Sequence, residues 1–146
     1  MMTEFDLKRL RAHYPQFYSQ GTRWHDNDIY GHINNTVYYS FFDTAVNKYL
    51  IESCGMDIAN DSVVAYVVSS SCDYFTPCTY PADLEVGLRV NTLGKTSVEY
   101  GLAVFKHDES NALVVGKFTH VFVDRAKGRA VEMPSKTRTE LERLLG

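Results

Sequence analysis

The stretch from Asn35 to Cys54 constrains this chain more than any other part of it. Its apolar residues fall at Val37, Tyr38, Phe41, Phe42, Ala45, Val46, Tyr49, Leu50 and Ile51, a three-and-four spacing that predicts a helix of about five turns. Gly55 follows as a C-terminal stop. The apolar arc is wider than the single stripe of a surface helix, so other segments have to wrap around it.

Past this helix the apolar period drops from 3.6 to two. Residues 62 to 75 are rich in Val, Tyr and Ser, and in residues 83 to 90 Leu84, Val86, Leu88 and Val90 alternate with polar residues or glycine. Val98, Tyr100, Leu102 and Val104 repeat the pattern, and residues 112 to 124 supply one more strand. The links at 91–95 and 107–111 are short and turn-like, which predicts antiparallel hairpins. Ahead of the helix, residues 4 to 14 form a short amphipathic helix ended by Pro15, and residues 17 to 24 form a strand. Residues 133 to 145 close the chain as a helix that starts at Pro134-Ser135.

This order predicts an α+β architecture, an antiparallel sheet of about five strands wrapped around one long central helix, with residues 1 to 146 as a single domain. One copy alone leaves a sheet edge and one side of the helix poorly covered, so a homodimer or homotetramer is expected.

Fifteen Lys and Arg against eighteen Asp and Glu give a net charge of −3, which argues against nucleic acid as a partner. The longest apolar runs, such as Val63 to Val68, fall far short of the ~20 residues of a membrane helix, so no span is expected. The N-terminal residues carry mixed charge with no apolar secretory core. Cys54, Cys72 and Cys78 form no even framework and no CxxC pair, consistent with a reduced, cytoplasmic protein.

Residues 24 to 35 (WHDNDIYGHINN) pack two carboxylates, two imidazoles and three amides immediately before the central helix. Asp26-x-Asp28 with Gly31 imitates the start of a calcium loop, but Tyr30 and Val37 stand at the fifth and twelfth positions, where oxygen ligands are required. Spacing does not exclude a zinc site from His25, Asp28 and His32, but no HxxxH or cysteine pair supports one, so no metal is expected. A structural role accounts for part of the knot: Asn34 or Asn35 caps the helix, Asp28 makes an Asx turn and Gly31 takes a positive φ.

The remaining surplus points to catalysis. A helix N-terminus offers unpaired N–H groups and partial positive charge to a developing oxyanion, while a nearby carboxylate attacks a carbonyl or activates water. Asp28 is the candidate carboxylate, and the N–H of Asn35 or a neighbour in the first turn is the candidate oxyanion donor. A carboxylate of ordinary basicity suits an activated acyl group such as a thioester better than an amide.

At these residues the sequence resembles the 4-hydroxybenzoyl-CoA thioesterase family of hot dog proteins, whose acyl-CoA members carry D-x-D-x-x-G-H-[IV]-N-N-x-x-Y before the central helix. Here the run is Asp26 to Tyr38, and the resemblance continues through Asp73-Tyr74-Phe75-x-Pro77 and Tyr80-Pro81-x-Asp83. It implies an acyl-CoA thioesterase with Asp28 as nucleophile or general base and the Asn35 N–H polarising the carbonyl. His32, in the same run, is a candidate for orienting the Asp28 loop. Some relatives place Tyr four residues before the catalytic Asp and His seven after it; Trp24 and Asn35 stand there in this chain, so a mechanism using that pair does not carry over.

A CoA substrate brings phosphates, and the turn Lys95-Thr96-Ser97 is a candidate contact, as is the basic cluster Arg125, Lys127 and Arg129. Tyr38 is a candidate for the acyl tunnel. No cofactor is expected beyond the CoA of the substrate. The alternative is a non-hydrolytic acyl-CoA or acyl-carrier-protein binding module on the same fold.

Overall fold

The computed structural model describes residues 1–146. Five strands, β1 (Gln16–Gly21), β2 (Val63–Tyr74), β3 (Asp83–Leu93), β4 (Ser97–Lys106) and β5 (Val114–Asp124), form one antiparallel sheet in the order β1-β3-β4-β5-β2. β3–β4 and β4–β5 are the two hairpins the short links predict. The segment after the long helix crosses to the far edge, where β2 pairs only with β5 and leaves its other side open.

The long helix α2 (Val37–Glu52) lies against one face of this sheet. Seven of its side chains, Tyr38, Phe41, Phe42, Ala45, Val46, Tyr49 and Leu50, are buried together with the alternating residues of β3 and β4. The helix comes this close because Gly116 of β5 has no side chain: a Cβ there would overlap the Phe42 ring. This is the hot dog architecture. A short helix, α3 (Ser135–Glu142), closes the end of the core, where the Tyr49 hydroxyl donates to the Glu140 carbonyl at 2.6 Å.

The opposite face of the sheet carries a smaller apolar cluster of Tyr14, Ala103, Phe105, Ala112 and Val115. The N-terminal segment covers it, but not as the continuous helix expected over residues 4 to 14. Helix α1 spans only Glu4–Lys8, and a 3₁₀ turn follows at Arg11–His13. Backbone bonds from Arg11 to Ser110 and from Ala112 to Arg9, at 3.0 and 2.8 Å, pull Leu10 into a bridge with the β4–β5 hairpin and divert the chain from helical geometry.

Other boundaries differ by a few residues. β1 stops at Gly21 instead of 24, because the Thr22 hydroxyl donates to the Ala82 carbonyl and accepts the Ala82 N–H, and residues 24 to 26 coil into a 3₁₀ turn. α2 starts at Val37 instead of 35, since Asn34 and Asn35 lie in the turn that leads into it. α3 occupies only the middle of residues 133 to 145, as Met133 and Leu144 bond to Lys95 and Val90 along the sheet end.

Candidate active site

The knot between β1 and α2 is held by the first of its two carboxylates. Asp26 is 1% exposed, and its oxygens accept the Arg23 N–H at 2.7 Å and the Arg23 guanidinium at 2.9 and 3.1 Å. Its carbonyl accepts the Asn34 N–H at 2.9 Å. A buried carboxylate with three charge-assisted or backbone donors is committed to structure.

Asp28 is placed differently. Its N–H donates to the His32 carbonyl at 2.9 Å, and its Oδ1 accepts the Tyr30 N–H at 2.9 Å, which is the Asx turn expected there. Gly31 takes φ = 80°, the left-handed geometry that glycine adopts most readily. The segment before β3 buttresses this loop: Asn27 Oδ1 accepts the Tyr80 N–H at 3.0 Å, the Thr79 hydroxyl donates to the Gly31 carbonyl at 2.9 Å, and the Ile33 N–H donates to the Cys78 carbonyl at 2.7 Å. Asp28 itself is half-buried, so one carboxylate oxygen stays free of protein donors.

Neither Asn34 nor Asn35 is the cap expected for α2: the cap is Thr36, which makes no side-chain cap bond, and Asn34 forms the turn before it, its Oδ1 accepting the Thr36 N–H at 3.0 Å and the Thr36 hydroxyl at 2.9 Å. Asn35, exposed between them, donates its N–H to no acceptor in the chain. Its carbonyl accepts the Tyr74 hydroxyl at 2.9 Å, so the last residue of β2 pins the helix mouth.

Asp28, His32, Asn35 and Tyr38 all line one cavity of about 360 Å³, joined by Tyr74 and Phe75 from the end of β2. Four of the residues picked out in the sequence are therefore brought together by the fold. The imidazole of His32 is exposed and makes no hydrogen bond; its backbone carbonyl, not its ring, holds the Asp28 loop. Burial, reinforced by Cys78 and Cys72, raises the Tyr38 phenol above its ordinary value, and burial together with the Cys72 hydrogen bond raises that of Tyr74. Both phenols are neutral donors near pH 7. Cys72 is pushed up to about 11, chiefly by burial, and stays a thiol.

Lys95, Thr96 and Ser97 sit elsewhere. They form the β3–β4 turn, whereas the Asp28 loop lies against residues at the start of β3 and the end of β4. β4 alone has ten residues, about 33 Å of strand, so the turn and Asp28 of one chain are at opposite ends of the sheet. Tyr74 and Phe75 are the cavity residues that pattern reasoning on the knot alone passes over; the Asp73-Tyr74-Phe75-x-Pro77 run was their signal. His25, Asp28 and His32 do not converge. The one cluster with metal-ligand geometry is Glu85, His107 and Asp108, where Arg11 already bonds Glu85 at 2.9 Å.

The model of the thioesterase-like superfamily matches residues 22 to 141, and the chain belongs to that superfamily. Among solved structures it is similar to the PA5185 protein of Pseudomonas aeruginosa, at 52% identity and a TM-score of 0.93, over 94% of this chain and 96% of that one. It is also similar to Slr0204 of Synechocystis, a 1,4-dihydroxy-2-naphthoyl-CoA thioesterase, at 17% identity and a TM-score of 0.79, over 88% of this chain and 96% of that one. The second likeness speaks to the fold. No helix of the chain is long and apolar enough to cross a membrane.

The two carboxylates of the knot separate by their bonding, and stability measures that separation. Asp26→Asn removes the buried charge that three Arg23 donors face and is expected to cost about 1–3 kcal/mol in urea unfolding. Asp28→Asn keeps an oxygen for the Tyr30 N–H and is expected to stay within about 0.5 kcal/mol of the parent. The reverse ranking would mean that Asp28 is the structural residue.

Proposed function

We propose that the chain is an acyl-CoA thioesterase, with Asp28 as nucleophile or general base and the Asn35 N–H as oxyanion donor. The observation that carries the reading is the pairing, in one cavity, of a carboxylate with a free oxygen and a backbone N–H with no acceptor at the start of a sixteen-residue helix. The helix adds partial positive charge where the tetrahedral oxyanion would form. Membership of the thioesterase-like superfamily and the likeness to Slr0204 support an acyl-CoA substrate. Tyr38 and the neighbouring apolar wall supply the acyl side of the cavity.

A thioester carbonyl is activated already, so an ordinary carboxylate suffices and no metal or cofactor is invoked. Asp28→Asn is expected to lower kcat by ~10³-fold, about 4 kcal/mol of barrier, with KM nearly unchanged, because the lost group acts on the reacting carbon and not on the CoA handle. Steady-state thiol release from acyl-CoA by both Asp→Asn variants checks this. If Asp26→Asn, corrected for its folded fraction, were the dead variant and Asp28→Asn stayed active, the assignment would fail.

The working unit in this reading is a homodimer or a dimer of dimers. The free edge of β2 is twelve residues long and carries Tyr66, Val67 and Val68 exposed, a surface suited to pairing with an identical edge. A second subunit would also bring its Lys95–Ser97 turn within reach of a site that the turn of the same chain does not approach. Mixing an Asp28→Asn chain with a Lys95→Glu chain is then expected to restore part of the activity. A fully active monomer by light scattering at assay concentration would overturn the dimer.

A further inference from the structure

The face of the sheet away from α2 holds a second cleft, of about 110 Å³, that the thioesterase reading does not use. Strand register sets Arg89, Gly101, Lys117 and Ser71 side by side in one row across β3, β4, β5 and β2. Gly101 stands at the centre of the row, and its missing side chain makes room for Asn91 and Arg89, whose Oδ1 and Cγ would lie 2.7 and 2.9 Å from a Cβ there. The N-terminal segment supplies the rim, with Lys8 and His13.

The charges in this cleft are unbalanced. Lys8, Arg89 and Lys117 line it against the single carboxylate of Asp73. Arg89 and Lys117 have no carboxylate within 4 Å, and Lys8 reaches only Glu4, loosely, at 3.7 Å. Arg89 Nη1 instead lies against the His13 ring, at 2.8 and 2.9 Å from its nitrogens, and donates to the His13 carbonyl at 3.2 Å. Its Nε is buried with no acceptor at all. Burial and the neighbouring Arg89 lower the His13 pKa, which keeps the ring neutral beside the guanidinium.

We propose that this cleft is a binding site for a phosphate group. The free space equals that of about three or four waters, the size of one tetrahedral oxyanion. Two cations without carboxylate partners favour a dianion over a monoanion, and Asn91 and Ser71 add neutral donors at the edge. Phe75 lines both this cleft and the Asp28 cavity, so an occupant here sits directly behind the wall of the candidate active site. The inference stands on the convergence of these side chains and is independent of the thioesterase reading.

The test is calorimetric titration of the full chain at fixed ionic strength with two probes, inorganic phosphate and adenosine 3′,5′-bisphosphate. Saturable binding of phosphate identifies a site for the free group, and binding of the bisphosphate alone identifies a nucleotide source; either supports the proposal when Lys117→Gln and Arg89→Gln each weaken it at least tenfold. Lys117 is exposed, so its variant keeps the fold and the test does not depend on Arg89→Gln remaining stable. Lys136→Gln, exposed on α3 and away from both cavities, is expected to bind as the parent does. No saturable binding of either probe, or an affinity that neither cleft variant moves, would overturn the site.

Discussion

The structure depends on how closely its central helix approaches the sheet. Phe42 has no exposed surface, and it reaches that depth only because Gly116 leaves a gap in β5 opposite the ring. From this one seat the helix sets Tyr38 one turn toward its N-terminus and Val46, Tyr49 and Leu50 one to two turns beyond, so the same packing that fills the core fixes the direction in which the helix mouth points. The mouth is then pinned from outside by the Tyr74 hydroxyl on the Asn35 carbonyl.

The knot exploits that fixed mouth. Its two carboxylates stand two residues apart and are pushed into different roles by their surroundings: Asp26 is sealed and saturated by Arg23, while Asp28 rides on a turn whose backbone bonds leave its side chain facing the cavity. Because Asp26 also receives the Asn34 N–H through its carbonyl, the sealed residue ties the loop to the helix start. Precision at the candidate site thus comes from a neighbour that touches no substrate.

Much of this was legible in the sequence. The three-and-four spacing over residues 37 to 51 and the period-two strands define the helix and the sheet, and Asn34, Asp28 and Gly31 declare the turns at the helix mouth. What escaped were features that only tertiary contacts create. Residues 9 to 13 have helical character but bond to the β4–β5 hairpin instead. Lys95 to Ser97 carry the right chemistry for phosphate but close the wrong end of the sheet for their own chain's site. His120, on an alternating strand, faces the core beside Tyr100, where burial pushes its pKa down to about 4 and keeps it neutral; nothing in local patterning marks a histidine for that position. The cation row on the far face is equally invisible in one dimension, since Arg89, Lys117 and Ser71 become neighbours only through strand register.

The central claim is that a carboxylate and a free backbone N–H at the helix mouth break a thioester. Its most direct test is thiol release by the purified chain across acyl-CoAs of varied length and aromaticity. The account predicts at least one substrate turned over with kcat/KM on the order of 10⁴ M⁻¹s⁻¹ or more, with one free acid formed per CoA released. Saturable acyl-CoA binding with no thiol release from any member of the series would contradict it and leave a binding module in its place.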